Sequence, residues 1–428
     1  MRKISFIHLS DIHFCKTSGK NFDIDSDLRN AVLTDILWNA KKELEDVKGI
    51  LIGGDIAFTG QKEEYEKAKE FLKELTTCLE IDEKDIFCVP GNHDINQAVV
   101  KGSRSVYNAQ CDIEKAGTID EADRIFEKYM LDAADPNLLF KAIEEYNNFG
   151  ALYGCNINSE NIFWTENFEL EHGMTLKIRG MNSCIISNHD DHKDKNNIRK
   201  MIVGQSQIPS YEENTAWVSL CHHPVEFWKF SEDIQGKLDK RIDIQLYGHK
   251  HEQIVDAGEE RLIISAGATQ PVRGKKWNPR YNWITFECIC HDDDRILKAK
   301  VYPRVLSSDR DSFIADYINC IPQENYFDYE LNVDDKRKKN LYDVKENIND
   351  KEKQIIIVKK PIIENLHRNI IYCFFELSYV QQSDILSKLG LLREEYEGKK
   401  YVDVIHRILT DAEKANCLEQ LYRSIKNS

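Results

Sequence analysis

The sequence lacks a long run of apolar residues. No stretch of its 428 residues approaches the roughly 18–20 consecutive apolar residues that cross a bilayer. The first residues, MRKISFIHLSDIHF, could be mistaken for a secretion signal, but Ser5, His8, Ser10 and Asp11 interrupt the apolar run and no small-residue cleavage site follows. We therefore predict a first β-strand there, in a cytoplasmic protein that has no membrane partner.

The chain also lacks a surplus of basic residues and a regular pairing of cysteines. Its 58 lysines and arginines against 73 aspartates and glutamates give a net charge of −15, which argues against coating nucleic acid with a broad basic face. A nuclease is not excluded, because bound metal ions bring positive charge to a site. Of the twelve cysteines only Cys288 and Cys290 lie close together. We expect reduced thiols, and neither a structural zinc site nor a disulfide framework.

What the chain does have is enough length for two domains and enough apolar residues, 41%, for a sizeable core. Its first three hundred residues alternate β-rich runs with helical stretches, which favours parallel strands with helices packed on the faces of the sheet. Strands are predicted at 4–9, 49–54, 85–90, 216–222, 241–248 and 261–267, helices at 27–46 and 63–75, and an antiparallel strand pair at 281–289 and 295–303.

Composition and periodicity divide the chain into segments. An α/β domain spans 1–305, and a polar, mostly helical insertion interrupts it at 95–160. Residues 306–355 are charged and aperiodic, which is typical of a linker. Apolar residues at helical spacing return in 356–428 and predict a small all-α interaction domain.

Residue types that bind metal ions cluster where predicted strands end. Each of five clusters follows a different strand: Asp11 with His13; Asp55; Asn92 with His93 and Asp94; His222 with His223; and His249 with His251. Because α/β sheets build their sites at the carboxyl ends of strands, we expect these clusters at one rim. In the Asp-x-His and His-x-His pairs the spacing is that of alternate strand residues, whose side chains point the same way.

The five clusters together predict a two-metal hydrolytic site, although any one histidine alone is more often a packed or surface residue. A carboxylate can bridge two ions about 3.5–4 Å apart, and Asp55 is the candidate. Imidazole, carboxylate and amide ligands suit Mn, Fe, Zn or a mixture. A water bridging such ions loses a proton near neutral pH and becomes a nucleophile, while the ions take up charge on the phosphoryl oxygens.

These motifs resemble those of the calcineurin-like metallophosphoesterase superfamily. The resemblance covers residues 1–305 and rests on Asp11-x-His13, Gly54-Asp55, Gly91-Asn92-His93-Asp94, His222-x-Pro224 and Gly248-His249-x-His251. The segments LSDIHF and GDIAFTGQKEEY are most similar to the branch that contains class III cyclic-nucleotide phosphodiesterases and glycerophosphodiesterases. The resemblance to this superfamily implies a four-layer α/β/β/α sandwich.

The resemblance also implies roles for individual residues. One metal ion is expected on Asp11, His13, Asp55 and His251, and the other on Asp55, Asn92, His222 and His249. His93 corresponds to the acid that assists the leaving group or steadies the transition state, and Asp94 is expected to orient His93 by a hydrogen bond. His223 is left as a residue that supports the ligands or contacts substrate.

Weaker signals lie outside these motifs. Lys101 and Arg104 follow the catalytic turn and can reach a substrate phosphate, although a solvated helix face is the alternative. The run His189-Asp190-Asp191-His192 has metal-binding residue types but the composition of a solvated turn, which we favour over a third metal site. The insertion is either a cap over the site or an oligomer contact.

The C-terminal pattern FFELSYVQQSDILSKLGLL resembles small helical adaptor domains, the death-like effector-associated domains attached to bacterial defence enzymes. That resemblance implies association with a protein partner or with a second copy. The alternative is a helical cap packed on the core.

The sequence as a whole predicts a metal-dependent phosphoesterase. We expect a phosphodiesterase that acts on nucleotides or nucleic acids in antiviral defence, with two divalent ions of which manganese is favoured. The alternatives are a phosphomonoesterase or protein phosphatase, and an interaction scaffold that has lost activity.

Overall fold

Two mixed β-sheets form the centre of the computed structural model, which describes residues 2–16, 25–191, 199–270, 278–291, 294–337, 364–396 and 398–428. The first sheet has the strand order β12-β11-β10-β1-β2-β3, and β13 also pairs with β11. Its strands are β1 (Ile4–Leu9), β2 (Val47–Ile52), β3 (Ile86–Cys88), β10 (Arg280–His291), β11 (Asp294–Leu306), β12 (Phe313–Ala315) and β13 (Phe327–Asn332).

The second sheet has the order β4-β5-β6-β7-β9-β8. Its strands are β4 (Phe163–Glu169), β5 (Thr175–Met181), β6 (Thr215–Cys221), β7 (Ile244–Tyr247), β8 (Gln253–Ala257) and β9 (Leu262–Ala266). Phe6 on β1 meets Phe168 on β4 edge to face, with ring centroids 5.0 Å apart, so apolar side chains fill the space between the sheets. The predicted four-layer sandwich is confirmed. The strands β4, β5 and β8 were not predicted.

Helices cover the sheets because their apolar residues recur at helical spacing. The helix Lys62–Leu79 buries Tyr65, Ala68, Leu72 and Leu75 along one face. In the capping box at its start, the Glu64 carboxylate accepts from the backbone amides of Thr59 and Gln61, at 3.0 Å each. Further helices of the described α/β domain are Ser26–Asp35, which continues through a π-helical turn Ile36–Ala40 to Lys41–Glu43, and Ser231–Arg241.

The insertion is helical, as predicted. Its helices are Gln97–Gly102, Arg104–Glu114, Ile119–Met130 and Glu144–Gly150, with a 3-10 stretch at Leu138–Ile143. Ser103 and Thr118 cap two of these helices by accepting hydrogen bonds from the amides of Val106 and Glu121. Among the described residues no helix is both long and apolar enough to cross a membrane, and no disulfide joins the twelve cysteines.

The predicted linker at 306–355 begins too early. Residues 313–332 add β12 and β13 to the first sheet, and a helical turn follows at 333–337. There Lys336 and Arg337 donate to the two oxygens of the buried Asp243, at 2.9 and 2.7 Å. Charge-rich composition predicted a solvated segment, but a carboxylate that lies far away in sequence pairs with these cations inside the protein. The rest of the linker, 338–363, lies outside the described residues.

The C-terminal helical domain has a hydrophobic core of its own. Its helices are Glu364–Phe375, Tyr379–Lys388, Tyr401–Lys414 and Leu418–Lys426. Ile370, Phe374, Ile405 and Leu421 are among the residues of this core, which is separate from that of the α/β domain. The predicted small all-α domain is therefore present as a second packed unit.

Polar contacts dock this helical domain on the α/β domain beside β3 and β4. Arg368 donates to the backbone oxygens of Lys84 and Ile86, at 2.8 and 2.5 Å, and to the carboxylate of Glu166 at 2.8 Å. Its guanidinium group lies 4.0 Å from the centroid of the Phe87 ring. A helical cap packed on the core was the alternative to a tethered module, and the domain combines a separate core with a docked position.

We expect Arg368→Ala to weaken this docking by about 3–5 kcal/mol, because it strands the buried carboxylate of Glu166 without its cation. A double-mutant cycle with Glu166→Ala, in which urea unfolding gives the free energy of unfolding of each variant, measures the coupling energy between Arg368 and Glu166. The control is Arg423→Ala, whose exposed pair with Glu419 stabilises by at most about 1 kcal/mol. Equal stability of the Arg368→Ala and Arg423→Ala variants would contradict the docking.

Candidate metal centre

The predicted ligands lie at the carboxyl ends of parallel strands in both sheets. β1, β2 and β3 run parallel in the first sheet, and β6 and β7 run parallel in the second. Backbone hydrogen bonds join the loops that follow these strands: Asp11 N donates to Gly54 O at 3.0 Å, and Gly248 N donates to His222 O at 3.1 Å. The structure thus brings all seven predicted ligand residues to one rim.

Among the described residues, four overlapping groups of possible ligands lie at this rim. Asp55 belongs to two of them, one with His13 and His93 and one with Asp11 and His222. Asp11, His13 and His251 form one group and His222, His223 and His249 another, and within each group the candidate donor atoms lie within 4.8 Å of one another. Asn92 belongs with the second group, since its Oδ1 lies 3.0 Å from a ring nitrogen of both His222 and His249.

Asp55 connects the two groups. Its Oδ2 lies 3.3 Å from His13 Nε2 and 3.4 Å from His222 Nε2. Its Oδ1 accepts a hydrogen bond from the backbone amide of His93 at 2.7 Å. Asp55 is 1% exposed, so one buried carboxylate lies between imidazoles of both groups.

Five of the predicted ligands have left-handed backbone conformations, which are rare for residues other than glycine. They are Asp11, His13, Asp55, His249 and His251, with φ between 52° and 67°. The prediction from strand alternation assumed extended backbone at 11, 13, 249 and 251, and that assumption is wrong. Backbone strain of this kind costs about 1–3 kcal/mol per residue and clusters at functional sites.

Close packing around Asp55 explains a glycine in the motif after β3. A Cβ atom on Gly91 would lie 2.1 Å from Asp55 Oδ1 and 2.3 Å from Asp55 N. The backbone of Gly91 is extended, with φ −106°, so contact with Asp55 is what demands glycine there.

Burial and opposite charges set the protonation of the cluster. Burial alone raises the pKa of Asp55, but the charges of His222 and His93 and a hydrogen bond from His13 hold this pKa well below its usual range. Burial lowers the pKa of His222, but Asp55 and Asp11 outweigh it and raise the pKa to about 9. The buried carboxylates are thus balanced by protonated imidazoles, a charge that a bound cation can supply instead.

The donor set fits a divalent metal ion. His13 and His222 each donate from Nδ1 to a backbone carbonyl, of Gln270 at 3.3 Å and of Gly53 at 2.8 Å. When a bound cation replaces the ring proton, these hydrogen bonds leave Nε2 of the neutral ring as the lone-pair atom, and in both residues Nε2 is the atom that lies near Asp55. Such an outer hydrogen bond is the usual way to orient a ligating histidine.

His93 is held by Phe58 and not by Asp94, which corrects the prediction. His93 Nδ1 donates to the backbone oxygen of Phe58 at 2.9 Å. Asp94 accepts from the amides of Ala57 and Gly91 at 2.9 and 2.8 Å and from the hydroxyl of Tyr65 at 2.8 Å. Burial, then the charge of Asp55, raises the pKa of Asp94 to about 6. Asp94 therefore fixes the loops on either side of His93, and it acts on the imidazole only through them.

The geometry agrees with a comparison against protein families. The model of the calcineurin-like phosphoesterase family matches residues 4–253. The chain belongs to this family. It is a metal-dependent phosphoesterase, and its His and Asp clusters have the donor atoms for divalent ions. A second model, the GTPase-associated adaptor domain, matches residues 367–427 of the phosphoesterase, within its helical domain.

Solved structures similar to the phosphoesterase are distant. A putative 5'-nucleotidase from Staphylococcus aureus is 12% identical with a TM-score of 0.36, covering 80% of this chain and 58% of its own. The NAD nucleotidase of Haemophilus influenzae is 11% identical with a TM-score of 0.31, and the match covers 81% of this chain and 56% of the nucleotidase. Vps29 of Entamoeba histolytica with zinc is 12% identical with a TM-score of 0.30, and the match covers 76% of this chain and 98% of Vps29. The chain therefore spans little more than half of either nucleotidase. A search of curated proteins found no match.

The remaining predicted residues of the phosphoesterase divide into two sets. His223 lies in the second ligand group, with its ring 4.4 Å from that of His249 and its Nδ1 2.8 Å from Ser183 Oγ. Lys101 and Arg104 are exposed and make no hydrogen bond or ion pair with the described residues. The structure therefore brings His223 to the site and gives neither basic residue a contact there.

The polar run after residue 188 is structural. Asp191 is buried and paired with Arg199 at 2.7 Å, and Asp190 accepts from the hydroxyl of Tyr107 at 2.9 Å. No group of possible metal ligands includes this run among the described residues, which exclude His192. A solvated turn was predicted, but Asp191 is part of a buried ion pair.

Two phenylalanines beside the ligands were missed by the sequence reasoning. Phe58 stacks on His93 with centroids 5.0 Å apart, and Phe227 meets His249 edge to face at 4.6 Å. Each lies three to five residues after a predicted ligand, Asp55 or His222. A search of the loops that follow each motif for aromatic residues could have found both.

Proposed function

We propose that the phosphoesterase hydrolyses phosphodiester bonds of nucleotides or nucleic acids with two divalent ions. One ion is assigned to Asp11, His13, Asp55 and His251, and the other to Asp55, Asn92, His222 and His249. When bound, such ions activate water and take up the negative charge that develops on the phosphoryl group. Manganese is the favoured metal among those that mixed nitrogen and oxygen donors suit, which also include iron and zinc.

One observation carries this proposal: a single buried carboxylate, Asp55, lies between imidazoles of both ligand groups. A carboxylate in that position can bind two cations at once, whereas a structural one-metal site needs no shared ligand. The left-handed backbone of Asp55, with φ 53°, supports a functional reason for its placement.

We assign to His93 the protonation of the leaving group. Its Nδ1–H donates to Phe58 O at 2.9 Å, so Nε2 is the atom that can hold or release a proton. The Phe58 and His13 rings pack against the imidazole, at 5.0 and 4.9 Å, and restrict its rotation. Asp94 keeps the loops around this turn in place through its hydrogen bonds to backbone amides.

The motif segments LSDIHF and GDIAFTGQKEEY support a diester over a monoester, since they resemble the branch that contains class III cyclic-nucleotide phosphodiesterases and glycerophosphodiesterases.

We also propose that the helical domain binds a protein partner or a second copy, in a cytoplasmic effector of antiviral defence. The adaptor-domain match at 367–427 supports an association role. On the helix Tyr379–Lys388, Tyr379 is 63% and Val380 is 75% exposed, which leaves apolar surface for such a contact.

A substrate panel with Mn²⁺ tests the enzymatic proposal. We expect bis-(p-nitrophenyl) phosphate to be hydrolysed at least about tenfold faster than p-nitrophenyl phosphate, a difference of about 1.4 kcal/mol in transition-state binding. Chelation should abolish both reactions. Cyclic nucleotides, single-stranded DNA and RNA in the same panel separate the substrate classes. A preference for the monoester would indicate a phosphomonoesterase, and a metal-loaded protein inactive on every ester would indicate a scaffold.

A further inference from the structure

Phe58 is a large apolar side chain exposed at a polar site. Its ring lies nearly parallel to that of His93, with an angle of 21°, and 36% of the residue is exposed. Its backbone is fixed on both sides, because Phe58 N donates to Phe14 O at 3.0 Å and Phe58 O accepts from His93. The ring is therefore held at the rim beside His93 and is not part of the buried core.

Phe227 has the corresponding position beside the other ligand group. Its ring meets that of His249 at 4.6 Å and that of His223 at 6.3 Å, and the residue is half-buried. Its carbonyl accepts from the amide of Met201 at 2.7 Å, which ties the short 3-10 turn Val225–Phe227 to a neighbouring segment. The second ring is thus also held on a fixed backbone.

The two rings contact opposite parts of the centre. Phe58 contacts His13 and His93 on the side of the first ligand group, and Phe227 contacts His223 and His249 in the second. A phosphodiester bound between the groups would therefore have an aromatic ring on the side of each ligand group. Rigid aromatic rings beside a phosphate site are suited to stacking on a flat base, whatever its sequence.

We propose that Phe58 and Phe227 bind a nucleobase of the substrate, so that nucleotide esters are preferred over simple alkyl esters. This inference rests on the proposed phosphodiesterase function. A nucleobase gains stacking on either ring, whereas a methyl ester of the same phosphate gains none. The net charge of −15 favours a nucleotide of low charge over a long nucleic acid strand as the source of that base.

Two esters with the same leaving group test the proposal on the metal-loaded full chain. Thymidine 5'-p-nitrophenyl phosphate and methyl p-nitrophenyl phosphate both release p-nitrophenolate and differ only in the other substituent. We expect the wild type to prefer the thymidine ester in kcat/KM by at least about tenfold. Phe227→Ala should reduce that preference by roughly 5- to 150-fold, the equivalent of one base–aromatic stack.

Matched variants separate the effect of ring stacking from the effects of side-chain volume and of folding. Phe227→Trp should keep the preference, while Phe227→Leu, which retains apolar volume, should lower it. Phe58→Leu should slow both esters alike, because Phe58 stacks on His93, the residue assigned to their shared leaving group. Tyr317→Ala is the control, because this aromatic residue is 67% exposed and no ring contact joins it to a predicted ligand among the described residues.

The possible results distinguish a failure of the nucleobase inference from a failure of the proposed phosphodiesterase function. Equal hydrolysis of both esters by the wild type, or an equal loss on both in Phe227→Leu, overturns the nucleobase inference and leaves the diesterase intact. No hydrolysis of either ester by the metal-loaded wild type overturns the diesterase proposal itself. A short single-stranded oligothymidylate, hydrolysed more slowly per bond than the dinucleotide TpT, which has the same leaving group, supports a small nucleotide as the source of the base, and a faster rate overturns that part.

Discussion

Asp55→Asn is expected to weaken the binding of both metal ions and to lower the hydrolysis rate while the fold stays largely intact. The side chain is 1% exposed and lies 3.3 and 3.4 Å from imidazole nitrogens of the two ligand groups. An asparagine of the same shape keeps the packing but brings no negative charge. One neutral amide cannot balance two cations in a buried site, so both ions should bind more weakly.

Metal content per chain and the diesterase rate, measured on one preparation, check this prediction. Circular dichroism shows whether the sheets have survived. The matched control is Asp256→Asn, which makes the same chemical change at an exposed position on β8. Two ions per chain together with a wild-type rate in Asp55→Asn would show that Asp55 does not bridge.

His93→Ala should retain both metal ions and lose roughly 10²–10⁴-fold in rate, the usual contribution of a positioned acid or base. His93 is not among the assigned ligands, and its Nδ1 is engaged by the carbonyl of Phe58 at 2.9 Å. If Nε2 protonates the leaving group, the loss should be smaller for a p-nitrophenyl ester than for a phenyl ester. A good leaving group departs without a proton.

His93→Gln separates the proton from the bulk of the ring, because it keeps a polar side chain that cannot donate as an acid. His172→Asn is the control at a distant, exposed histidine, and asparagine tolerates its left-handed backbone of φ 59°. Loss of metal with an unchanged rate per loaded chain would make His93 a ligand. If the loss of rate does not depend on the leaving group, His93 stabilises the transition state and does not protonate the leaving group.

Local sequence patterns predicted the elements whose information lies within a few residues. β1 was predicted at 4–9 and is found there, because a short β-rich run bounded by polar residues admits few alternatives. The helix predicted at 63–75 lies within Lys62–Leu79, since apolar spacing and the capping box agree. The strand β13 was missed even though Phe327, Tyr329 and Leu331 alternate, because the charged composition around it predicted a linker.

Contacts between distant segments could not be predicted in the same way. Local composition does not predict which charged residues are paired inside the protein. Lys336 and Arg337 pair with Asp243, and Arg368 pairs with Glu166. A buried charge and a solvated charge are the same residue type in a sequence. Only the partner, brought close by folding, decides between them.

The sequence by itself determined the residue types of the metal centre and their attachment to strand ends, because parallel strands place those ends together. Tertiary structure decided the rest. It set Asp55 between two groups of histidines, gave His93 the carbonyl of Phe58 in place of Asp94, and placed Phe58 and Phe227 beside the ligands. Spacing along the chain fixes which residues share a rim, whereas distances and hydrogen bonds across the rim depend on how two sheets pack.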